Sequence, residues 1–171
     1  MGTKKSETFW NYAVSNTMGG GDGYQGGSTF KMFVAAAALK NGLGAYGNIK
    51  VKPQMDFNGW KFQSCQGAVR VNKRWNVVGV GGTFNLFTGA TKSVNGYFVQ
   101  LEAAAGLCEA TKIAQALGLQ PSIDPKGDAL TKTYSNYPSF TLGAVEVSPI
   151  SLVNAYATVA ARGIRCEPVI V

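Results

Sequence analysis

Ser28 and Lys31 stand three residues apart in Gly26-Gly27-Ser28-Thr29-Phe30-Lys31, and the chain runs on from there into Met32-Phe33-Val34 and an alanine-rich stretch. Residues at i and i+3 share one face of a helix, so a serine hydroxyl and a lysine amine at this spacing can meet. A serine hydroxyl is a weak nucleophile until a base takes its proton. The chain has no histidine, which excludes a Ser-His-Asp triad within it and leaves a lysine of depressed pKa as the available base. The first turn of a helix also favours developing negative charge, as acyl transfer requires. The competing reading is an N-cap serine followed by a solvated lysine.

Ser93-Val94-Asn95 is the second constellation. Read alone, Ser93 is the N-cap of a helix over Val94 to Leu107.

Elements must bring these groups together. A helix is expected from near Ser28 to Asn41-Gly42, where Gly follows strong helix formers. Met18 to Gly27 is a glycine-rich loop able to approach other backbone closely. Residues 43–92 read as irregular, with short β-like runs at Ile49-Lys50-Val51 and Asn76 to Val80 and room for a small hairpin. Residues 94–119 turn helical, with Phe98, Leu101, Ala105, Cys108, Ile113, Ala116 and Leu117 as the apolar face of one or two helices. Residues 120–140 read as loop. Ser148-Pro149 then opens a last helix to about residue 162, with Ser as N-cap and Pro at its first position, and Ile164 to Val171 reads as extended.

Composition narrows the class. At 171 residues, 46% hydrophobic and 15% charged, with 22 Gly, the chain suits one globular domain rich in loops. No apolar run approaches a membrane span, and Met1-Gly2-Thr3-Lys4-Lys5 leads into polar residues rather than a signal sequence. The net charge of +7 is scattered, with Lys50/Lys52 and Lys73/Arg74 the densest groups, and no nucleic-acid module is visible. Cys65, Cys108 and Cys166 show no metal-ligand spacing.

Taken in order, three stretches resemble the transpeptidase domain of penicillin-binding proteins. Gly26 to Lys31 resembles the active-serine motif. Ser93-Val94-Asn95-Gly96-Tyr97-Phe98 resembles the Ser-x-Asn motif opening the next helix. Thr141-Leu142-Gly143-Ala144-Val145-Glu146-Val147-Ser148-Pro149, continuing into Asn154-Ala155-Tyr156-Ala157-Thr158, is similar to the sequence before the last strands of class A members. Gly106-Leu107-Cys108-Glu109 favours the actinobacterial type, and the likeness covers about residues 11 to 168.

The resemblance implies an α+β fold, of which this chain should hold mainly the helical lobe and few sheet strands. It implies D,D-transpeptidation of peptidoglycan stem peptides ending in D-Ala-D-Ala, with β-lactams acylating the same serine and no cofactor or metal. Carried over residue by residue, Ser28 is the nucleophile and Lys31 its base, Ser93 relays a proton, and Asn95 holds Lys31 and the substrate amide. The place implied is the extracytoplasmic face of the membrane, with any anchor outside this chain. An oxidising compartment allows a Cys65–Cys108 disulfide, with Cys166 pairing beyond Val171; three buried thiols are the alternative.

One departure counts. The family's Lys-Thr-Gly strand is absent, and Lys132-Thr133-Tyr134 is no substitute, because it precedes Leu142-Gly143 and ends in Tyr. The expectation is a partial transpeptidase domain over 1–171, whose missing strand belongs to a remainder of the domain and whose serine helix is left with an uncovered face. A penicillin-sensing or slowly β-lactamase-like domain, or an inert scaffold fragment, are the rival readings.

Overall fold

Helix α1 (Lys31–Lys40) runs through the centre of the molecule, with Phe33, Val34, Ala37 and Ala38 in the core. The computed structural model describes residue 8, residues 10–124 and residues 128–169. The readings of Met1 to Lys5 as no leader, of residues 125–127 as loop and of the last two residues as extended lie outside the described residues. α1 is preceded by a tight 3-10 turn over Gly27–Phe30 and stops at Asn41, with Gly42 at φ 77°. A left-handed backbone there suits glycine and ends the helix where the sequence places its end.

The segment read as irregular is instead one long nested hairpin. β1 (Tyr24–Gln25) lies outside it; then β2 (Ile49–Val51), β3 (Gln54–Asp56) and β4 (Lys61–Ser64) pair antiparallel with β7 (Gly82–Phe84), β6 (Asn76–Val78) and β5 (Gly67–Arg70) respectively. Each ladder is only three or four residues long, because Pro53, Asn58-Gly59 and Gly79 to Gly81 interrupt the pairing. Phe57, Trp60, Phe62 and Trp75 pack between the rungs.

α2 (Leu86–Thr91) is a single capped turn opened by Asn85, whose side chain accepts from Thr88 N. α3 (Asn95–Ala105) and α4 (Leu107–Ala116) follow, separated at Gly106, whose φ of 89° no L side chain adopts easily. α3 buries Phe98, Leu101 and Ala105 as the pattern predicts. On α4 the buried residues are Leu107, Ala110, Thr111 and Ala114, whereas Ala116 is exposed. The stretch read as loop after residue 120 contains α5 (Ala129–Lys132) and short 3-10 turns at Tyr134–Asn136 and Phe140–Leu142. β8 (Glu146–Val147) pairs with β1. α6 (Pro149–Ala160) starts as expected, with Ser148 Oγ accepting from Ser151 N and Pro149 in the first turn.

The fold is thus α+β, with helices dominating and only short two-stranded ladders among the described residues. The serine-side helix α1 is largely covered, with Leu39 its exposed large apolar side chain, whereas α6 shows a broader apolar face. α6 buries its small residues Ser151, Ala155 and Thr158 and turns Val153, Tyr156 and Val159 outward. No described helix is long and apolar enough to cross a membrane.

Candidate active site

Lys31 sits at the first turn of α1, where the helix buries it to 5% exposure. Its Nζ reaches across to the N-terminal end of α3 and donates to Ser93 O at 2.7 Å, Ser93 Oγ at 2.9 Å and Asn95 Oδ1 at 2.7 Å. The Phe98 ring lies 5.5 Å beneath it. Burial holds the amine down at about 8, from an ordinary lysine value of 10.5. As an ammonium it has three N–H bonds, and all three are taken by this set. Once a proton is lost, two can remain on Ser93 O and Asn95 Oδ1, and the lone pair can accept from a hydroxyl.

Neither serine is a helix cap. Ser28 lies inside the 27–30 turn, with its side chain exposed and without a capping bond; Val94, not Ser93, occupies the N-cap of α3. Ser93 adopts φ 49°, uncommon for a residue with a side chain. That backbone turns both its carbonyl and its hydroxyl onto Lys31, and strain of this kind collects at functional sites. No hydrogen bond joins Ser28 Oγ to Lys31 Nζ among the described residues; the amine leans onto Ser93 and Asn95 instead.

Three elements fix the Ser28 turn. β1 pairs with β8 immediately before it. Gly143, at φ 72°, packs flat on Gly27, so that a Cβ there would fall 2.1 Å from Gly27 N. Phe140 sets its ring 5.1 Å from that of Phe30. The hairpin supports the other half. Gln100 Nε2 donates to Lys50 O at 3.1 Å, and Gly96 fits against Val51, whose Cγ1 a Cβ would approach to 2.7 Å. At the far end Asn41 Nδ2 donates to Ala105 O at 2.7 Å, so α1 and α3 are clasped beyond their shared core.

Cys65, in the β4–β5 turn, and Cys108, on α4, form a disulfide with Cα atoms 4.7 Å apart. Cys166 is an exposed free thiol, so three buried thiols do not describe the chain. Lys132-Thr133-Tyr134 ends a short helix rather than lying on a strand, and Lys132 pairs with Asp128. Sequence reasoning passed over Glu102 altogether; it placed Gly143 and Tyr156 within a family-like stretch but foresaw neither the contact of Gly143 with Gly27 nor that of Tyr156 with Thr29. Concavities of about 380 Å³ beside Gln115 and 610 Å³ between Trp75 and Tyr137 are lined by none of Ser28, Lys31, Ser93 and Asn95.

A serine on a helix-opening turn, a buried amine one turn on and a hydroxyl–amide pair opening a second helix are groups with which serine acyl transfer can be done. The penicillin-binding protein transpeptidase domain family matches residues 4–171, and the chain belongs to it. Penicillin-binding protein 1A of Rickettsia felis is 32% identical over 148 residues, which are 84% of this chain and 16% of that protein. The same protein of Rickettsia conorii matches equally, so the chain spans about a sixth of the length of these relatives. Among solved structures, PonA1 of Mycobacterium tuberculosis superposes with a TM-score of 0.68 at 24% identity, over 98% of this chain and 40% of that one. Penicillin-binding protein A of M. tuberculosis, as its imipenem acyl-enzyme, superposes with a TM-score of 0.66 at 23% identity, over 91% of this chain and 35% of that one. Both likenesses concern the fold.

Proposed function

We propose that this chain carries the nucleophile half of a D,D-transpeptidase that cross-links peptidoglycan stem peptides. Ser28 Oγ attacks the carbonyl carbon of the penultimate D-Ala, and its proton passes to neutral Lys31. The C–N bond to the terminal D-Ala breaks, and Ser93 delivers the proton that the departing amine needs. An amino group of a neighbouring stem then attacks the Ser28 ester, forms the cross-link and returns the hydroxyl to Ser28. Asn95 holds Lys31 and receives the substrate amide. Since Ser28 Oγ and Lys31 Nζ are not bonded here, a side-chain rotation on substrate binding brings them together; such contacts commonly tighten only in the complex.

The observation that carries this reading is the Lys31 amine, buried, partly neutral near neutral pH and held between Ser93 and Asn95. A merely structural lysine gains nothing from such a setting. The Ser28 N–H supplies one oxyanion donor. The second donor, and the cation for the substrate carboxylate, are roles for a Lys-Thr-Gly strand, a motif that these 171 residues do not contain. β-Lactams, mimicking D-Ala-D-Ala, acylate the same serine, as the imipenem adduct of the mycobacterial relative illustrates for that protein. The site works on the extracytoplasmic face of the membrane, where its substrate lies.

The test is labelling with fluorescent penicillin of the domain completed by its Lys-Thr-Gly strand, followed by peptide mapping. Label on Ser28, lost in Ser28→Ala, is expected; label on another serine, or undiminished labelling of the variant, refutes the assignment. Rapid release of the label would point to a β-lactamase-like enzyme instead.

A further inference from the structure

Among the described residues Glu102 is the most deeply enclosed of a charged type, at 0% exposure on α3, one helical turn beyond the Phe98 that underlies Lys31. Burial pushes its carboxyl well above the usual carboxylate range, against the opposing pull of one backbone N–H. Its Oε1 accepts that bond, from Thr141 N at 3.0 Å. Its Oε2 is buried with no partner among the described residues, and so is Thr141 Oγ1. A buried acid with an idle oxygen is an expensive way to fill a core, since leucine or methionine would pack there without desolvation cost. The one thing the acid does that they cannot is hold the Thr141 N–H.

That N–H belongs to the turn Phe140–Leu142, which touches α3, α1 and the 27–30 turn. One residue before Thr141, Phe140 stacks edge-on to Phe30; two residues after it, Gly143 lies on Gly27. We propose that Glu102 is a positioning residue for Ser28: through Thr141 it fixes the 140–143 turn, and that turn fixes the backbone ahead of the nucleophile. The same helix α3 begins with Asn95, which holds the base. Glu102 therefore locks the nucleophile to the helix that carries the partners of Lys31, and keeps the two halves of the site in register. This inference rests on the reading of Ser28 as the acylated residue.

The experiment follows labelling by fluorescent penicillin in the completed domain and separates its amplitude from its rate constant, comparing wild type with Glu102→Leu and Glu102→Gln. Amplitude counts folded sites; the rate constant reports how well each folded site is arranged. Glu102→Leu is expected to reach full amplitude with a rate constant at least about tenfold lower. Glu102→Gln keeps an oxygen for the Thr141 N–H and is expected within about threefold of wild type. A Leu variant with the wild-type rate constant and only a smaller amplitude, or one that does not fold at all, would make Glu102 a plain core residue and overturn the proposal. A wild-type protein that fails to label on Ser28 would sink the transpeptidase reading itself, which is a separate result.

Discussion

The phenol of Tyr156 on α6 donates to the backbone carbonyl of Thr29 at 2.8 Å, so the last helix is tied to the residue after Ser28, the proposed nucleophile. Burial raises the phenol's pKa, so it remains a donor at any physiological pH. Tyr156→Phe removes one hydrogen bond and leaves the ring. A loss of about 1 kcal/mol in unfolding free energy is expected, with a modest slowing of Ser28 acylation. Denaturant melts and labelling kinetics on the same variant check both.

In the proposed role Lys31 is a base, which it can be only when neutral, and its pKa is lowered to about 8. Acylation should therefore rise as pH climbs through about 8 and then level off. The same shift acts on stability. Between about 8 and 10.5 the unfolded chain holds a proton on this lysine that the folded one has lost, so this group's contribution to stability improves with rising pH across that window. Lys31→Arg cannot give up its charge and should retain less than about a tenth of the acylation rate, a barrier increase above ~1.4 kcal/mol. A flat pH profile between 6 and 10, or a vigorous Arg variant, speaks against the role.

Gly143→Ala meets two obstacles together: φ of 72° and a Cβ only 2.1 Å from Gly27 N, with backbone rather than a yielding side chain in its way. A destabilisation of roughly 2 kcal/mol or more and a severe loss of acylation are expected, because the turn carrying Ser28 must move. Gly42→Ala offers the comparison. It has a similar φ of 77° and nothing within 4 Å, so it should cost stability without touching the acylation rate constant.

Reducing the Cys65–Cys108 bridge, which spans 43 residues, frees a long loop in the unfolded chain. A drop of roughly 3–4 kcal/mol in unfolding free energy is expected, read as a lower melting temperature with dithiothreitol. Cys65→Ala/Cys108→Ala should behave alike and become insensitive to the reductant. An unchanged melting temperature would show that the bridge contributes little.

Ser28 and Lys31 were legible as a pair because their spacing is local, one in the 3-10 turn and the other opening α1, though the direct contact that the spacing allows is not made. Ser93 and Asn95 were legible through resemblance, since nothing in their spacing says that a lysine 62 positions earlier will be held by them. The last helix was read nearly to its ends from Ser148-Pro149. The hairpin was not, because its rungs are three or four residues long, interrupted by Pro and Gly, and its register is a pairing between distant segments rather than an alternation within one. The contacts of Gly143 and Glu102 escaped for the same reason. One is a glycine among 22 and the other an acid on an apolar helix, and each acquires its meaning only from a partner brought near by the fold.

The nested hairpin also bears on how the chain finds this arrangement. Lys31 and Ser93 are 62 residues apart along the backbone, but pairing of Ile49 with Phe84 shortens the path between them to about 28. Loop-closure entropy grows with the logarithm of path length, so the shortcut lowers the cost of bringing the two together by about 0.7 kcal/mol. The hairpin from Ile49 to Phe84 is thus a splice in the folded chain, bringing the ends of α1 and α3 within a short path of each other.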